Sequence, residues 1–207
     1  MRNLKVQYCS DIHLEKFKFL PKITPVADYL VLAGDIGHPR TQIYKDFMSQ
    51  TSKDFKTVVL IDGNHEYDKY LPPIQRILPS NIIHLQNDIF VFPNRFFCFG
   101  TTLWTQSVKS MEYKKALVSL ENFLMTHKQQ MIVTHHLPSR ELIIPKYKNH
   151  PRLDRFANDL DYLLKSKEYS PKLWICGHSH CLLDKQVGYT RCLINTFSFQ
   201  KNTTINL

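Results

Sequence analysis

Tyr29-Leu30-Val31-Leu32-Ala33-Gly34-Asp35-Ile36-Gly37 is a short apolar run that stops abruptly at a glycine and an aspartate. A run that short and continuous fits a strand covered on both faces, as in a parallel sheet lying between other layers. The same punctuation recurs along the chain. Apolar runs at Leu4–Tyr8, Thr57–Ile61, Gln130–Thr134 and Lys172–Cys176 are followed by Ser10-Asp11-Ile12-His13, Asp62-Gly63-Asn64-His65-Glu66, His135-His136 and Gly177-His178-Ser179-His180. Further β-rich runs lie at Asn81–Leu85, Ile89–Phe92 and Arg95–Phe99, and from Leu182 onward. Helical periodicity falls between the strands, at Thr41–Lys53, Met111–His127 and Phe156–Lys165. This alternation predicts an α/β protein, with two sheets because the later strands follow one another without helices between them. No repeat or Gly/Ser/Pro-rich linker divides the chain, so residues 1–207 read as a single domain.

Composition narrows the field. At 43% hydrophobic and 22% charged the chain reads as an ordinary soluble domain. It has no continuous apolar stretch near the roughly 18 residues of a membrane helix. Its first residues lack the apolar core of a secretory signal, so a cytoplasmic location and no membrane partner are expected. The five cysteines are odd in number and show no CxxC pairing. Buried, reduced thiols are expected, not a disulfide framework or a thiolate zinc site. The formal charge of +9 favours anionic partners, nucleic acid among them. Nineteen of the 27 cationic residues are lysine, however, a bias that an AT-rich coding sequence also produces.

The strand-end segments carry the chemistry. Six of the ten histidines fall in them, and so do four of the six glycines (Gly34, Gly37, Gly63, Gly177). Glycine there permits positive φ and close backbone approach, and this edge of an α/β sheet is where ligands bind. Singly, Asp-x-His or His-x-His is weak evidence, since a buried histidine is more often hydrogen-bonded core than ligand. Together the segments point to a metal centre. On an extended chain residues i and i+2 face one side, so Asp11 with His13, and His178 with His180, could each reach a common site. Imidazole and carboxylate donors without thiolate suit Mn, Fe, Ni or Zn. A close ion pair needs a bridging carboxylate, for which Asp11 and Asp35 are the candidates. Two divalent ions and two carboxylates leave net positive charge for a hydroxide and a phosphate oxyanion.

The ordered series D-x-H, G-D, G-N-H-E, a later His and G-H-x-H, spanning residues 11 to 180, resembles the calcineurin-like metallophosphoesterase superfamily. Leu103-Trp104-Thr105 and His135-His136-Leu137-Pro138-Ser139 are similar to its compact bacterial-type branch. The resemblance implies a four-layer α/β/β/α sandwich of two mixed sheets. It implies a phosphate-ester hydrolase with two divalent transition-metal ions, manganese foremost. Asp11, His13 and His180 would hold one ion and Asn64, His135 and His178 the other, with Asp35 bridging. His65 would orient the phosphate and protonate the leaving oxygen. Asn64, His65 and His136 are the substrate-contact candidates, although His136 equally suits a place behind a metal ligand. Glu66 fits either a hold on His65 or a hold on the loop backbone. Trp104 suits the core better than a pocket wall.

One departure matters. Where many relatives place a second Asp after the G-D pair, this chain has His38. With so short a chain, that argues against a protein phosphatase. The expected substrate is therefore a small phosphodiester or nucleotide. A nuclease acting on short RNA or DNA, and a non-catalytic scaffold of the same fold, are the alternatives. The segments around Glu66–Pro79 and Ser139–Leu153 are the ones available to cap the site.

Overall fold

Lys5–Cys9 (β1), Tyr29–Ala33 (β2), Thr57–Ile61 (β3) and Ile82–His84 (β4) pair in parallel, and Thr204–Asn206 (β11) closes the other edge antiparallel. In the computed structural model, which describes residues 4–67, 76–128, 130–199 and 202–207, a second sheet faces this one. Its parallel centre is Phe97–Thr101 (β6), Gln130–Thr134 (β7), Leu173–Cys176 (β8) and Thr190–Asn195 (β10). Asp88–Val91 (β5) and Leu182–Val187 (β9) flank it antiparallel.

Alternation along the strands sorts side chains into three cores. Val6, Tyr8, Val31, Ala33, Val59 and Ile61 meet Cys98, Met131, Val133, Ile175 and Leu193 between the sheets. Leu30, Leu32, Val58 and Leu60 point the other way, onto Tyr44, Phe47 and Met48 of Gln42–Asp54 (α1). Ile132, Trp174 and Ile194 pack beneath Ala116, Leu120, Phe123 and Leu124 of Ser110–Thr126 (α2) and beneath Leu163 and Leu164 of Asp161–Leu164 (α3). The result is the expected α/β/β/α sandwich. Each fully buried Leu, Val or Phe contributes about 1.5–3 kcal/mol relative to exposure, and β2 and β8, buried on both faces, carry no charged or amide side chain. All five cysteines are buried and unpaired in disulfides.

The helix expected over Phe156–Lys165 is a correction. Only Asp161–Leu164 is helical, preceded by a 3-10 turn at Leu153–Arg155. The intervening backbone is used elsewhere: Leu137 N–H donates to the Phe156 carbonyl, Asn158 N–H to Leu137, and Leu160 N–H to Pro138. Tertiary pairing with the loop after β7 therefore takes the amides that a longer helix would need.

Parallel pairing brings the ends of β1, β2 and β3 to one edge, beside the ends of β7 and β8. At that edge Ser10 N–H donates to the Asn195 carbonyl at 3.0 Å and Phe197 N–H to the Ser10 carbonyl at 2.9 Å, and so the ends of β1 and β10 join the two sheets.

Candidate metal centre

The loop conformations are not the extended ones expected from i, i+2 spacing. Asp11, His13, Asp35, His178 and His180 all have left-handed backbones, with φ between 47° and 65°. Asp and His tolerate this region better than most residues, and the turn it makes re-aims each side chain. As a consequence His178 and His180 separate. Among the described residues, Asp11, His13 and His180 converge as one donor group and Asp35, His135 and His178 as another, while His13, Glu15 and His65 form a third that shares His13 with the first.

Asp35 joins the two groups. Its Oδ1 accepts the His65 N–H at 2.8 Å, which leaves Oδ2 aimed at the centre. Oδ2 lies 3.2 Å from His135 Nε2 and 3.8 Å from His13 Nε2. Gly63 makes this possible, because a Cβ there would sit 2.1 Å from Asp35 Oδ1. Around His135 Nε2, Asn64 Oδ1 and His178 Nδ1 each stand at 3.2 Å. In the other group His13 Nε2 lies 3.3 Å from His180 Nε2, and His180 Nε2 lies 3.5 Å from Asp11 Oδ1. At an ion–donor distance of about 2.1 Å, neighbouring ligands on a tetrahedral or octahedral shell lie about 3.0–3.4 Å apart. The inner group has that spacing and the outer group comes close to it. The donors therefore fit a pair of divalent cations.

Partners behind the donors fix their orientation. His135 Nδ1 donates to the Ala33 carbonyl at 3.0 Å and His13 Nδ1 to Glu15 Oε1 at 2.9 Å, which turns each Nε2 inward. Burial pulls the His13 and His178 imidazoles down, toward the neutral form that metals bind. Burial also disfavours charge on His135, but the Asp35 carboxylate beside it prevails, and its pKa is pushed up to about 9. Burial alone would raise Asp35, but the His135 charge overcomes it and holds the carboxyl well below the usual carboxylate range.

Two of the open alternatives resolve. Both Glu66 oxygens take backbone donors: Oε1 accepts Ile36 and Gly37 N–H, and Oε2 accepts Asp35 and Gly63 N–H, at 2.6 to 3.1 Å. Burial first, then Asp62 and Asp35, push its carboxyl up to about 8, but four N–H donors leave no room for a proton, and the carboxylate is the form this geometry holds. Glu66 thus fastens the β2 and β3 loops together. His136 does not face the cleft, contrary to its placement among the substrate contacts. It is 2% exposed, directs Nδ1 at the Thr102 carbonyl at 3.2 Å, and lies against His178 with ring centroids 4.5 Å apart. Burial, with help from His135, lowers its pKa to about 3, so it is a neutral prop behind a donor. Trp104 is in the core, 5% exposed, with its ring 5.3 Å from that of His136.

His65 stands at the mouth with its side chain 46% exposed and Nε2 4.0 Å from Asp35 Oδ2. Its Nδ1 meets Glu15 Oε1 at 3.2 Å, the oxygen that also holds His13. Sequence reasoning missed Glu15. Its only signal is a carboxylate two residues after a candidate ligand. Of the two capping segments, residues 68–75 lie outside the described residues, while Ser139–Leu153 runs beside the donors.

Comparison with known proteins adds to this geometry. The family described as calcineurin-like phosphoesterase matches residues 4–182. The uncharacterized protein L509 of Acanthamoeba polyphaga mimivirus is 24% identical over 239 residues, covering 84% of each chain. The phosphopantetheinyl hydrolase (PptH) of Mycobacterium tuberculosis superposes with a TM-score of 0.73 at 11% identity, over 99% of this chain and 96% of that one. TT1561 of Thermus thermophilus does so with a TM-score of 0.64 at 14% identity, over 99% of both chains.

Proposed function

The chain belongs to the calcineurin-like phosphoesterase family and is a metal-dependent phosphoester hydrolase; on that premise we propose that it cleaves small phosphate esters, diesters or nucleotide-like molecules, with two manganese-type ions. Asp11, His13 and His180 would hold one ion and Asn64, His135 and His178 the other, with Asp35 between them. The single observation behind this assignment is Asp35 Oδ2, set between His135 Nε2 at 3.2 Å and His13 Nε2 at 3.8 Å. When bound, such ions polarise a phosphoryl oxygen and make water nucleophilic at neutral pH. Iron, nickel and zinc suit the same donors.

The chain's own groups do the rest. Asn64 turns Oδ1 toward His135 Nε2, leaving its amide N–H groups for a phosphate oxygen. His65 needs no metal bond, lies at the mouth and is steadied at Nδ1 by Glu15, so its Nε2 is free to donate a proton to the leaving oxygen. Glu15 is a positioning residue in this scheme, since its Oε1 meets both His13 Nδ1 and His65 Nδ1. The phosphopantetheinyl hydrolase shares the fold at 11% identity and lends no substrate. A scaffold reading is disfavoured by the completeness of the donor set.

The test is chelation. Chelator-treated protein should hydrolyse neither bis(nitrophenyl) phosphate nor nitrophenyl phosphate, and Mn(II) should restore activity as elemental analysis shows two ions returning. Full activity in excess chelator, with no metal bound, would overturn the assignment.

A further inference from the structure

A cleft of about 230 Å³ adjoins the donors, with Asp35, Asn64, His65, His178 and His180 on its polar side. The opposite wall is apolar except for His150: Leu137, Ile143, Ile144, Leu153, Phe156 and Tyr147 make up the rest of it. These residues belong to a strap running from β7 to α3 through 3-10 turns at Arg140–Leu142, Pro145–Tyr147 and Leu153–Arg155. The strap is held in place. Leu137 and Ala157 form a parallel bridge, Lys185 Nζ donates to the Glu141 carbonyl at 2.8 Å, and Leu142 and Ile143 are buried in the outer core. Phe156 lies against His178 with centroids 5.0 Å apart, so the apolar wall begins beside a donor. It is therefore a preformed surface.

Charge is missing where a polynucleotide would need it. Among the described residues lining the cleft there is no Lys or Arg, although the chain has 27. Lys146, Lys148, Arg152 and Arg155 are exposed on the strap, yet none of them lines the cleft. Nucleic-acid affinity comes largely from cations beside successive phosphates, and a wall whose only polar side chain is His150 offers no row of them. Size points the same way. At about 30 Å³ per water the cleft has room for roughly eight waters, below the about 300–1,000 Å³ of sites for drug-sized ligands.

We infer that the substrate is a single phosphate esterified to a compact apolar alcohol, an aromatic ring or branched alkyl group that packs against Ile144, Tyr147 and Phe156. The inference rests on the hydrolysis proposed for the same site. In that reaction the water oxygen bonds to phosphorus, the phosphorus–ester oxygen bond breaks, and the departing alcohol oxygen takes its proton from His65.

Benzyl phosphate and glycerol 1-phosphate, assayed with the metal-loaded protein, separate the possibilities. The benzyl ester should have kcat/KM at least about tenfold higher, the scale on which a hydrophobic pocket discriminates. Ile144→Ser and Tyr147→Ser should bring the ratio to within about threefold; Tyr147 is 41% exposed, so its replacement does not endanger the core. Calorimetry gives a readout independent of turnover. Benzylphosphonate should bind at least about tenfold tighter than methylphosphonate, with a negative heat-capacity change. Equal kcat/KM for the two esters would overturn the inference while leaving the hydrolase assignment standing, and so would a dodecamer of RNA or DNA that outcompetes benzylphosphonate. Tight benzylphosphonate binding without turnover of either ester would support the apolar pocket and count against hydrolysis.

Discussion

Asp35, Asn64, His135 and His178 meet among packed neighbours, whereas the other group joins two buried donors, Asp11 and His13, to a single histidine at the rim, His180. His135 is wholly buried with Nδ1 on the Ala33 carbonyl, and His178 is packed between His136 and Phe156. His180, by contrast, has its side chain 46% exposed, with His13 stacked 5.0 Å away and Asp11 at its edge. Packing orders the inner donors before any ion arrives, while the rim half relies on a histidine whose outer face meets solvent. Preorganised donors lose less entropy on binding, so the inner ion should be the tighter one.

The largest effect should come from the shared oxygen. Asp35→Asn should lower turnover about 10³-fold or more, because both ions lose a charged ligand. His180→Asn should lose the rim ion alone, and excess Mn(II) should recover much of its activity. Equal loss of both ions from the two variants, by elemental analysis, would erase the distinction between the halves. His65→Asn comes next. It should keep both ions and cost about 10²- to 10⁴-fold with an alkyl ester, whose leaving group needs a proton, but far less with a nitrophenyl ester. Identical losses with both esters would mean that His65 orients phosphate without acting as an acid. Glu15→Gln should be milder, about 10- to 100-fold, the usual range for a group that steadies a ligand. It should weaken the rim ion and share the leaving-group dependence of His65→Asn, since one carboxylate oxygen touches both His13 and His65. Weakened binding of the inner ion instead would break the contrast.

Reading the sequence went furthest where side-chain type and strand ends coincide. The β2 run ends at Ala33 as expected, and the strand-end loops bring Asp11, His13, Asp35, Asn64, His135, His178 and His180 to one edge. What stayed hidden depends on contacts distant in the chain. Phe156–Lys165 has helical periodicity, but Leu137 and Pro138 claim its backbone groups. His136 looks like a second phosphate contact until the carbonyl of Thr102, 34 residues away, turns its ring inward. Glu15 appears as an ordinary surface carboxylate because its role depends on His65, which is far off in sequence and close in space. Glu66 belongs to the motif, yet its four backbone partners come from two different loops.

The left-handed backbones at five of the donors also bear on heat resistance. Each such residue costs roughly 1 kcal/mol against an ordinary conformation, somewhat less for Asp and His. A domain stable by only about 5–15 kcal/mol feels a sum of that size. Evolution toward greater robustness would favour glycine at these positions, and chemistry forbids it. A His180→Gly protein, freed of the strain at φ 47° and giving up a side chain that is 46% exposed, should melt a few degrees higher than the parent when both are stripped of metal, and should fall behind once Mn(II) is added. The thermal margin of this fold is thus set partly by its cargo of ions, and selection for activity acts against selection for a sturdier empty scaffold.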